Sequence, residues 1–493
     1  MKVKMLDEQV SKSCKEGQKH IEVGDLDNKE ISTDLLIIGA GPGGYVAAIY
    51  AAKNGLDVTL VERERLGGTC LNVGCIPTKT LVKSSELSHN IQRAKEFGIE
   101  IDGNVKINME AIIGRKDEVV DRLVSGIEFL MKKNKIKVIV GQASFVNKTT
   151  VKVTGSINHL VMAKNIIIAT GSKITRVNIP GIDHPCVLDS TTALASTDLP
   201  ESITIIGAGV IGMEFAFIYR NLGVDVNVVE FLDRPLSMLD KDVSKEIQKI
   251  CKREKINIYT GSRVTKIEMS DEGKALVTYE SKKGEQTLES DKVLVAIGRE
   301  PNIDGLLLEN SGVDLNENGR GIKVNKAMQT SNNHIYAIGD VTDILQLAHV
   351  ASNQGLVAVD NILNKDITMD YKAVPNVIFT SPEISTVGMG EDKAKEKGLD
   401  ITVSKARFMS NGKALSMNET RGFVKLVKDN KSGQIIGASI IGPDASNLIT
   451  MLTTAIAKGL TDTDINKIIF PHPTTGEVIQ EASQGFGLGG IHE

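Results

Sequence analysis

Cysteine is scarce in this chain, which has only 5 cysteines among 493 residues. Three of them, Cys14, Cys186 and Cys251, stand far from any other cysteine. This spacing excludes the dense disulfide framework that stabilises small secreted proteins. We therefore expect these three cysteines to be isolated thiols, and we expect the protein to work in the reducing cytoplasm.

An excess of one charge and a long apolar run are lacking as well. The 58 basic and 62 acidic side chains are interleaved and give a net charge of −4. The sequence therefore has no basic surface for nucleic acid, and no stretch approaches the roughly 18–20 apolar residues that span a bilayer. Residues 1–33 lack an apolar signal core, and their acidic residues argue against a transit peptide. We expect neither nucleic acid nor membrane as a partner.

The chain is long enough for three or four domains. Residues 1–32 are polar with little apolar periodicity, which predicts a flexible extension. An apolar strand pattern at 34–38 leads into the glycine-rich turn 39–44, a helix pattern follows, and a second strand pattern ends at residue 62. Strand, glycine turn, helix and strand in this order form a unit that binds dinucleotides.

This unit occurs twice. Its glycines and closing glutamate recur 168 residues later, as the pairs Gly39/Gly207, Gly41/Gly209, Gly44/Gly212 and Glu62/Glu230. One such pattern is weak evidence, whereas two complete copies predict two dinucleotide sites. Glycine turns that merely connect a strand to a helix are the alternative.

The chemistry of the two units suggests their ligands. Glycine turns bring the backbone close to a pyrophosphate at a helix N-terminus, where free N–H groups and the helix dipole favour anions. Glu62 and Glu230 are suited to bind an adenosine ribose, and Glu230 would repel a 2′-phosphate, which favours NAD over NADP. Arg234 lies nearby in sequence and weakens that preference slightly. Two sites in one chain suggest a relay between a flavin and a nicotinamide.

The remaining cysteines, Cys70 and Cys75, lie in the stretch GGTCLNVGCIPTK at 67–79. Zinc normally takes four ligands, and the sequence has no second Cys/His pair with ligand spacing. Positions five apart on a regular helix lie about 140° apart around its axis, so a disulfide here needs a distorted turn, which Gly74 permits. We predict a catalytic dithiol near a flavin and no metal. Two reduced, packed cysteines are the alternative.

Residues 67–79 resemble the active-site signature of the pyridine nucleotide–disulfide oxidoreductase family, in particular the branch that oxidises dihydrolipoamide, with Thr78 where serine is usual. Stretches at 169–172, 298–302 and 330–340 resemble other motifs of the family. The resemblance extends from about residue 34 to the end and implies FAD and NAD as cofactors. The implied FAD ligands are Gly39, Gly41, Gly44, Glu62, Thr69, Thr170, Gly171, Asp340 and Ala348. The implied NAD ligands are Gly207, Gly209, Gly212, Glu230 and Gly298.

The resemblance also implies the catalytic residues. Dihydrolipoamide would attack a Cys70–Cys75 disulfide at Cys70, and electrons would pass from Cys75 to the flavin and then to NAD. His472, in the stretch PHPTTGE, would accept the proton, and Glu477 would orient it. In the family this pair reaches the disulfide of the other subunit, which implies a homodimer. Taken alone, a histidine such as His472 is more often structural.

Other positions gain a meaning only from the resemblance. Lys79 and Glu214 are implied to pair beside the flavin and to stabilise its reduced form; alternatively they are solvated surface charges. Phe470 stands where many members have a histidine, and residues 347–355 are more neutral than usual. The stretch EDKA at 391–394 is similar to a lipoyl-attachment site, but we expect the start of an exposed helix there.

These observations predict an α/β fold with two Rossmann-like dinucleotide-binding domains, a central domain and a C-terminal α+β dimerisation domain. The predicted boundaries are 1–32 for the extension, 33–172 for the FAD-binding domain, 173–298 for the NAD-binding domain, 299–370 for the central domain that completes the FAD site, and 371–493 for the dimerisation domain. Strand patterns at 423–427 and 434–441 predict neighbours in an antiparallel sheet.

The implied function is the re-oxidation of dihydrolipoamide with NAD through a redox-active disulfide. The partners would be lipoyl domains of an acyltransferase, in a 2-oxo acid dehydrogenase or acetoin complex, or the carrier protein of a glycine cleavage system. Two alternatives stay open. One is another NAD(P)H-dependent flavin disulfide reductase with a different small disulfide substrate, and the other is a mainly structural subunit of a multienzyme core.

Overall fold

The computed structural model describes residues 29–487 and 489–492. Most of the predicted extension 1–32 therefore lies outside the described residues. Its last four residues belong to the first strand, β1 (Lys29–Ile38), which pairs in parallel with His159–Ile168 from Lys29 onward. The predicted end of the extension at residue 32 is wrong, because backbone pairing rather than apolar side chains forms the beginning of this strand.

The first unit (residues 29–171 and 302–362) has a mixed sheet that leads into the first glycine turn. Its N-terminal elements are β1, α1 (Pro42–Lys53), β2 (Val58–Glu62), α2 (Gly68–Asn72), α3 (Cys75–Gln92), α4 (Met109–Lys133), β3 (Lys137–Val140), β4 (Gln142–Phe145), β5 (Thr150–Thr154) and β6 (His159–Ile168). The strand order is β3-β2-β1-β6-β5-β4, and β3, β2, β1 and β6 are parallel. Residues 35–38 are buried, as expected for a central strand covered on both faces.

The second unit (residues 172–301) repeats this plan. It contains β7 (Ser172–Ile174), β8 (Val187–Leu188), α5 (Ser190–Ala195), β9 (Ser202–Ile206), α6 (Val210–Asn221), β10 (Asp225–Val229), α7 (Lys241–Arg253), β11 (Ile256–Tyr259), β12 (Arg263–Met269), β13 (Ala275–Ser281), β14 (Gly284–Ser290), β15 (Lys292–Val295) and β16 (Arg299–Pro301). Its parallel sheet has the order β11-β10-β9-β15-β8. The chain enters through β7 and leaves through β16, which pair with each other, so the second unit is inserted into the first.

The chain then completes the first unit and forms a C-terminal unit (residues 375–484). The elements are β17 (Ile335–Ala337), α8 (Ala348–Ile362), β18 (Pro375–Ile378), β19 (Glu383–Gly388), α9 (Glu391–Glu396), β20 (Ile401–Arg407), α10 (Gly412–Ser416), β21 (Phe423–Asp429), β22 (Ile435–Gly442), α11 (Ala445–Lys458), α12 (Asp462–Asn466) and α13 (Glu477–Gln484). Strand β17 joins β6, and β18 to β22 form an antiparallel sheet of order β18-β19-β22-β21-β20.

The structure confirms the predicted α/β fold class. Strands β21 and β22 are antiparallel neighbours, as predicted for 423–427 and 434–441. The stretch EDKA begins the helix α9, so the expected helix start is confirmed, but Glu391 and Asp392 are half-buried and Ala394 is buried, so its expected exposure is wrong. Among the described residues, no helix is long and apolar enough to cross a membrane.

A buried lysine joins the second unit to the C-terminal unit. Lys425 on β21 is fully buried, and its Nζ lies 2.7 Å from Asp240, 2.6 Å from Asp242 and 3.4 Å from Glu391. Asp240 also accepts the backbone N–H of Glu391 at 3.0 Å, while Asp392 accepts the backbone N–H of Lys241 at 2.7 Å. Helices α7 and α9 thus each receive an N-terminal partner from the other unit, which fixes the orientation of the two units.

We expect Lys425→Met to lower the free energy of unfolding by about 3–5 kcal/mol, because it leaves the buried carboxylate of Asp240 without its cation. Asp242 and Glu391 keep Lys405 and Lys395 as partners. Urea denaturation followed by circular dichroism measures this change. Lys164→Met is the matched control, since Lys164 pairs with Asp34 on the surface and its loss should change little. Equal stability of the two variants would contradict the role given to Lys425.

Candidate functional site

A continuous cavity of about 1490 Å³ runs along the first and second units and is also lined by a few residues of the C-terminal unit. Most of the predicted site residues line it: Gly39, Gly41, Glu62, Thr69, Cys70, Cys75, Lys79, Thr170, Gly171, Gly207, Gly209, Glu214, Glu230, Gly298, Asp340 and Ala348. Gly44 and Gly212 lie behind the turns, and His472 and Glu477 lie on the C-terminal unit away from its wall. The cavity therefore connects both glycine turns with the cysteine pair.

The two glycine turns have the same geometry. Gly39 and Gly207 have φ angles of 103° and 104°, and a Cβ on them would meet a carbonyl oxygen of the adjoining strand end at 2.3 and 2.6 Å. A Cβ on Gly44 or Gly212 would meet the carbonyl oxygen of the first glycine at 1.9 or 2.0 Å. Only glycine allows the helix and the strand to approach this closely.

The middle glycines face the cavity instead. Gly41 and Gly209 are the N-caps of α1 and α6, and neither helix start has a side-chain cap. A Cβ on Gly209 would meet nothing within 4 Å, and one on Gly41 would meet only Gly68 at 4.0 Å. Free N–H groups at an uncapped helix start are the partners that a pyrophosphate takes. The residues of both turns therefore fit a dinucleotide.

The closing glutamates are held by the turns they follow. Glu62 accepts the backbone N–H of Ala40 at 2.8 Å, and Glu230 accepts that of Ala208 at 2.5 Å. Both carboxylates keep lone pairs for a ribose. Arg234, which the sequence placed near Glu230, bonds to the carbonyl of residue 237 at 2.9 Å and does not line the cavity. Arg234 thus does not line the second site beside Glu230, although Arg263 lines the same cavity.

The cysteine pair lies across a distorted turn. Cys70 is on α2, Cys75 begins α3, and Gly74 between them has φ −140° and ψ −112°. A Cβ on Gly74 would meet the carbonyl oxygen of Thr69 at 2.8 Å, so the tight turn requires glycine. Both sulfurs are present as thiols, and the interaction between them governs their acidity. The turn therefore brings both cysteines to the wall of the cavity.

The two thiols differ in acidity. The hydrogen bond from Cys70 lowers the pKa of Cys75 to about 7, and the positive charge of Lys79 lowers it further against the opposing effect of burial. The same hydrogen bond and burial raise the pKa of Cys70. Cys75 is therefore the thiolate of the reduced pair and the better leaving group of the oxidised pair.

The pH dependence of alkylation tests this difference. Because the pKa of Cys75 in the folded protein is lowered, its thiolate persists from high pH down to about 7 and is lost below it. We expect iodoacetamide to alkylate Cys75 of the reduced protein with a midpoint near that pH, measured by peptide-resolved mass spectrometry. Cys251, whose pKa burial raises to about 12, is the unreactive control. A Cys75 midpoint near its ordinary value of 9.0 would contradict the assignment.

Lys79 and Glu214 form an ion pair across the first and second units. Lys79 Nζ lies 2.9 and 2.8 Å from the two oxygens of Glu214, which is 4 % exposed. The backbone N–H of Phe379 also donates to Glu214 at 3.0 Å, and Lys79 lies over the Phe379 ring at 4.5 Å. The pair is thus enclosed at the cavity wall next to Cys75, and the alternative of two solvated charges is wrong for Glu214.

Sequence reasoning missed the role of Arg299. Its guanidinium donates to the Ser172 hydroxyl at 2.8 Å and to Thr69 at 3.3 Å, and the Ser172 hydroxyl donates to Asp340 at 2.6 Å. Burial raises the pKa of Asp340, while Ser172 and Arg299 oppose that rise. Arg299 therefore connects the residue before Cys70 with the predicted FAD ligand Asp340. Its position in the 298–302 motif was the only signal in the sequence.

Gln354 was also missed as part of the site. This residue of the neutral run 347–355 is fully buried on α8, and its side-chain oxygen accepts the N–H of Gly339 at 2.6 Å. Its amide donates to the Tyr371 hydroxyl at 2.8 Å. Gln354 thus holds the turn that presents Asp340, so at this position the neutral run contributes to the structure of the site.

The predicted His472–Glu477 pair, called the dyad below, is formed on the C-terminal unit. His472 Nδ1 lies 2.9 Å from Glu477, and the other Glu477 oxygen accepts the N–H of Thr474 at 2.9 Å. Burial raises the pKa of Glu477, but the bonds from Thr474 and His472 lower it by more. The His472 side chain is 79 % exposed. The dyad is therefore assembled, and neither of its residues is among those that line the cavity with Cys70 and Cys75.

Comparison with known proteins agrees with this architecture. A family model described as pyridine nucleotide-disulphide oxidoreductase matches residues 33–355, and its dimerisation domain matches residues 374–483. A dihydrolipoyl dehydrogenase from Haloferax volcanii is 41% identical over 94% of this chain and 97% of its own length. One from Mycobacterium leprae is 43% identical over 92% and 97%. The Cu(II) complex of the HOCl-induced flavoprotein disulfide reductase RclA from Escherichia coli superposes with a TM-score of 0.82 at 32% identity, over 93% of this chain and 99% of that one.

Proposed function

Because this chain belongs to the pyridine nucleotide–disulphide oxidoreductase family, we propose that it re-oxidises dihydrolipoamide with NAD through Cys70 and Cys75. The observation that carries the proposal is the cysteine pair at the wall of a cavity that also contains two glycine turns suited to dinucleotides. The dihydrolipoyl dehydrogenases that are similar over more than nine-tenths of the chain support the choice of substrate.

The cofactors of this family are FAD and NAD. The first turn, with Gly41 and Glu62, is suited to the pyrophosphate and ribose of FAD, and Asp340 to its ribityl chain or phosphate. The second turn, with Gly209 and Glu230, is suited to NAD. When bound, FAD supplies the carrier for the electron pair that passes between the dithiol and NAD.

The chain's own residues account for the thiol chemistry. One sulfur of dihydrolipoamide gives its proton to the imidazole of the dyad and attacks the sulfur of Cys70, and Cys75 leaves as a thiolate. The second substrate thiol then attacks its partner sulfur in the mixed disulfide, Cys70 leaves and takes up the proton of that thiol, and lipoamide departs oxidised with the two cysteines reduced. Lys79 lies close enough to Cys75 to stabilise the thiolate, and Glu214 holds Lys79.

The proposed active site is shared between two subunits. The chain has a dimerisation domain, and the exposed imidazole of the dyad is not among the residues that line the cavity with the chain's own cysteine pair. We place the partner's His472 at the Cys70–Cys75 pair of the first subunit, with Glu477 as its orienting group. The electron donors are lipoyl domains of an acyltransferase or of a glycine cleavage carrier protein. The proposed location is the cytoplasm, where Cys186 and Cys251 stay reduced.

A comparison of substrates tests the proposal. With NADH as donor, we expect lipoamide to be reduced and glutathione disulfide to be left essentially unchanged. NADPH should support the reaction about 100-fold less well than NADH, because Glu230 repels its 2′-phosphate. Spectrophotometric assay of nicotinamide oxidation measures all four combinations. A preference for glutathione disulfide would overturn the substrate, and absence of both activities would favour a structural subunit.

A further inference from the structure

Two side chains from outside the loop 471–477 fix the loop that carries the dyad. The amide of Asn411 donates to the carbonyl of Thr474 at 3.0 Å. The hydroxyl of Thr475, a residue only 6 % exposed, donates to a carboxylate oxygen of Asp444 at 2.9 Å. The buried hydroxyl therefore depends on Asp444 for its acceptor.

The side chain of Asp444 does not cap the helix at whose N-terminus it lies. Asp444 is the N-cap residue of α11, where an aspartate ordinarily accepts an N–H of its own helix. Its side chain makes no such bond. Glu383 accepts the N–H of Ser446 at 2.8 Å instead. Asp444 also has φ 57°, in the left-handed region that costs free energy for a residue other than glycine.

We propose that Asp444 is a positioning residue for the dyad. Its bond to Thr475 holds the loop where the N–H of Thr474 meets Glu477, and the second oxygen of Glu477 holds His472 Nδ1. The imidazole is thereby kept at one orientation while most of its surface is exposed. This inference rests on the proposed function, in which the partner's cysteine pair requires a fixed base.

Three variants separate positioning from folding. Asp444→Gly removes the acceptor and also relieves the left-handed backbone, so the fold is not penalised at this residue. Asp444→Asn keeps an oxygen acceptor and tolerates the same φ. Thr475→Val removes the donor with little change of shape. Asp366→Gly is the matched control, since Asp366 is an exposed aspartate with φ 49° away from the cavity.

Two measurements on the holoenzyme, kcat and amide hydrogen exchange, report the effect of each variant. We expect Asp444→Gly and Thr475→Val each to lower kcat for dihydrolipoamide oxidation about tenfold, with no further loss in the double variant. Asp444→Asn should restore kcat to within about threefold of the wild type. Hydrogen exchange of the Thr474 amide, followed by mass spectrometry of the loop peptide, should become about tenfold faster in Asp444→Gly. Asp366→Gly should match the wild type in both.

The outcomes distinguish this inference from the proposed function. Unchanged kcat and unchanged exchange in Asp444→Gly would overturn the positioning role, as would an Asp444→Asn variant as impaired as Asp444→Gly. If the wild-type enzyme does not oxidise dihydrolipoamide but the loop amide loses protection in Asp444→Gly, the proposed function fails and the positioning of the dyad stands.

Discussion

The variant Cys70→Ser is expected to lower dihydrolipoamide oxidation by about 10³-fold or more, because serine cannot form the disulfide that the substrate attacks. The glycine turns and the Lys79–Glu214 pair are untouched by this change. NADH oxidation by ferricyanide, a one-electron acceptor that needs no dithiol, should therefore continue. The ratio of the two rates, measured on the same preparation, isolates the thiol step from cofactor binding.

A matched cysteine variant controls for the loss of a thiol as such. Cys186 is one of two buried thiols of the second unit, and it lies outside the cavity wall. Cys186→Ser should leave the ratio of the two rates unchanged. If Cys70→Ser kept dihydrolipoamide oxidation within tenfold of the wild type, a mechanism through this cysteine pair would be excluded.

The second large effect tests which subunit supplies the histidine that acts as the base. His472→Gln should lower dihydrolipoamide oxidation by about 10²–10⁴-fold, the usual contribution of a general acid or base. A heterodimer of one Cys70→Ser subunit and one His472→Gln subunit gives a sharper test. In a shared site, the intact cysteines of one subunit meet the intact histidine of the other, so one of the two active sites is complete.

We therefore expect the purified heterodimer to show about half of the wild-type rate, although each parent homodimer is nearly inactive. Separate affinity tags on the two subunits allow its isolation after co-expression. A heterodimer as inactive as its parents would mean that His472 serves the cysteines of its own chain. That result would overturn the shared site but leave the dithiol chemistry intact.

The sequence predicted best the features that depend on short stretches of chain. Gly44 and Gly212 are required by contacts with the first glycine of their own turn, and Gly39 and Gly207 by their positive φ, and such local requirements leave a fixed spacing in the sequence. The distorted turn at Gly74 and the contact of His472 with Glu477 are local in the same sense. Their spacing and residue types were sufficient to predict them.

Contacts between distant segments leave no fixed residue spacing that could be recognised in the sequence. Arg299 meets Thr69 over 230 residues of sequence, and Lys425 meets Asp242 over 183. In the sequence these residues look like ordinary charges, because the partner that gives each its role is brought close only by packing of the units. The misplaced end of the extension has the same origin, since the pairing of Lys29 depends on a strand that begins at His159.

The sequence by itself determined that this protein has two dinucleotide turns, a cysteine pair across a glycine turn and a histidine with a carboxylate beside it, because each is encoded within a few residues. Only the tertiary structure decided how they are related. It placed the turns and the cysteines along one cavity, enclosed the Lys79–Glu214 pair there, and left the dyad on another unit away from that cavity. Burial and hydrogen bonding across units then distinguished Cys75 from Cys70 and gave Asp444 its partner, since both effects depend on neighbours that sequence order does not specify.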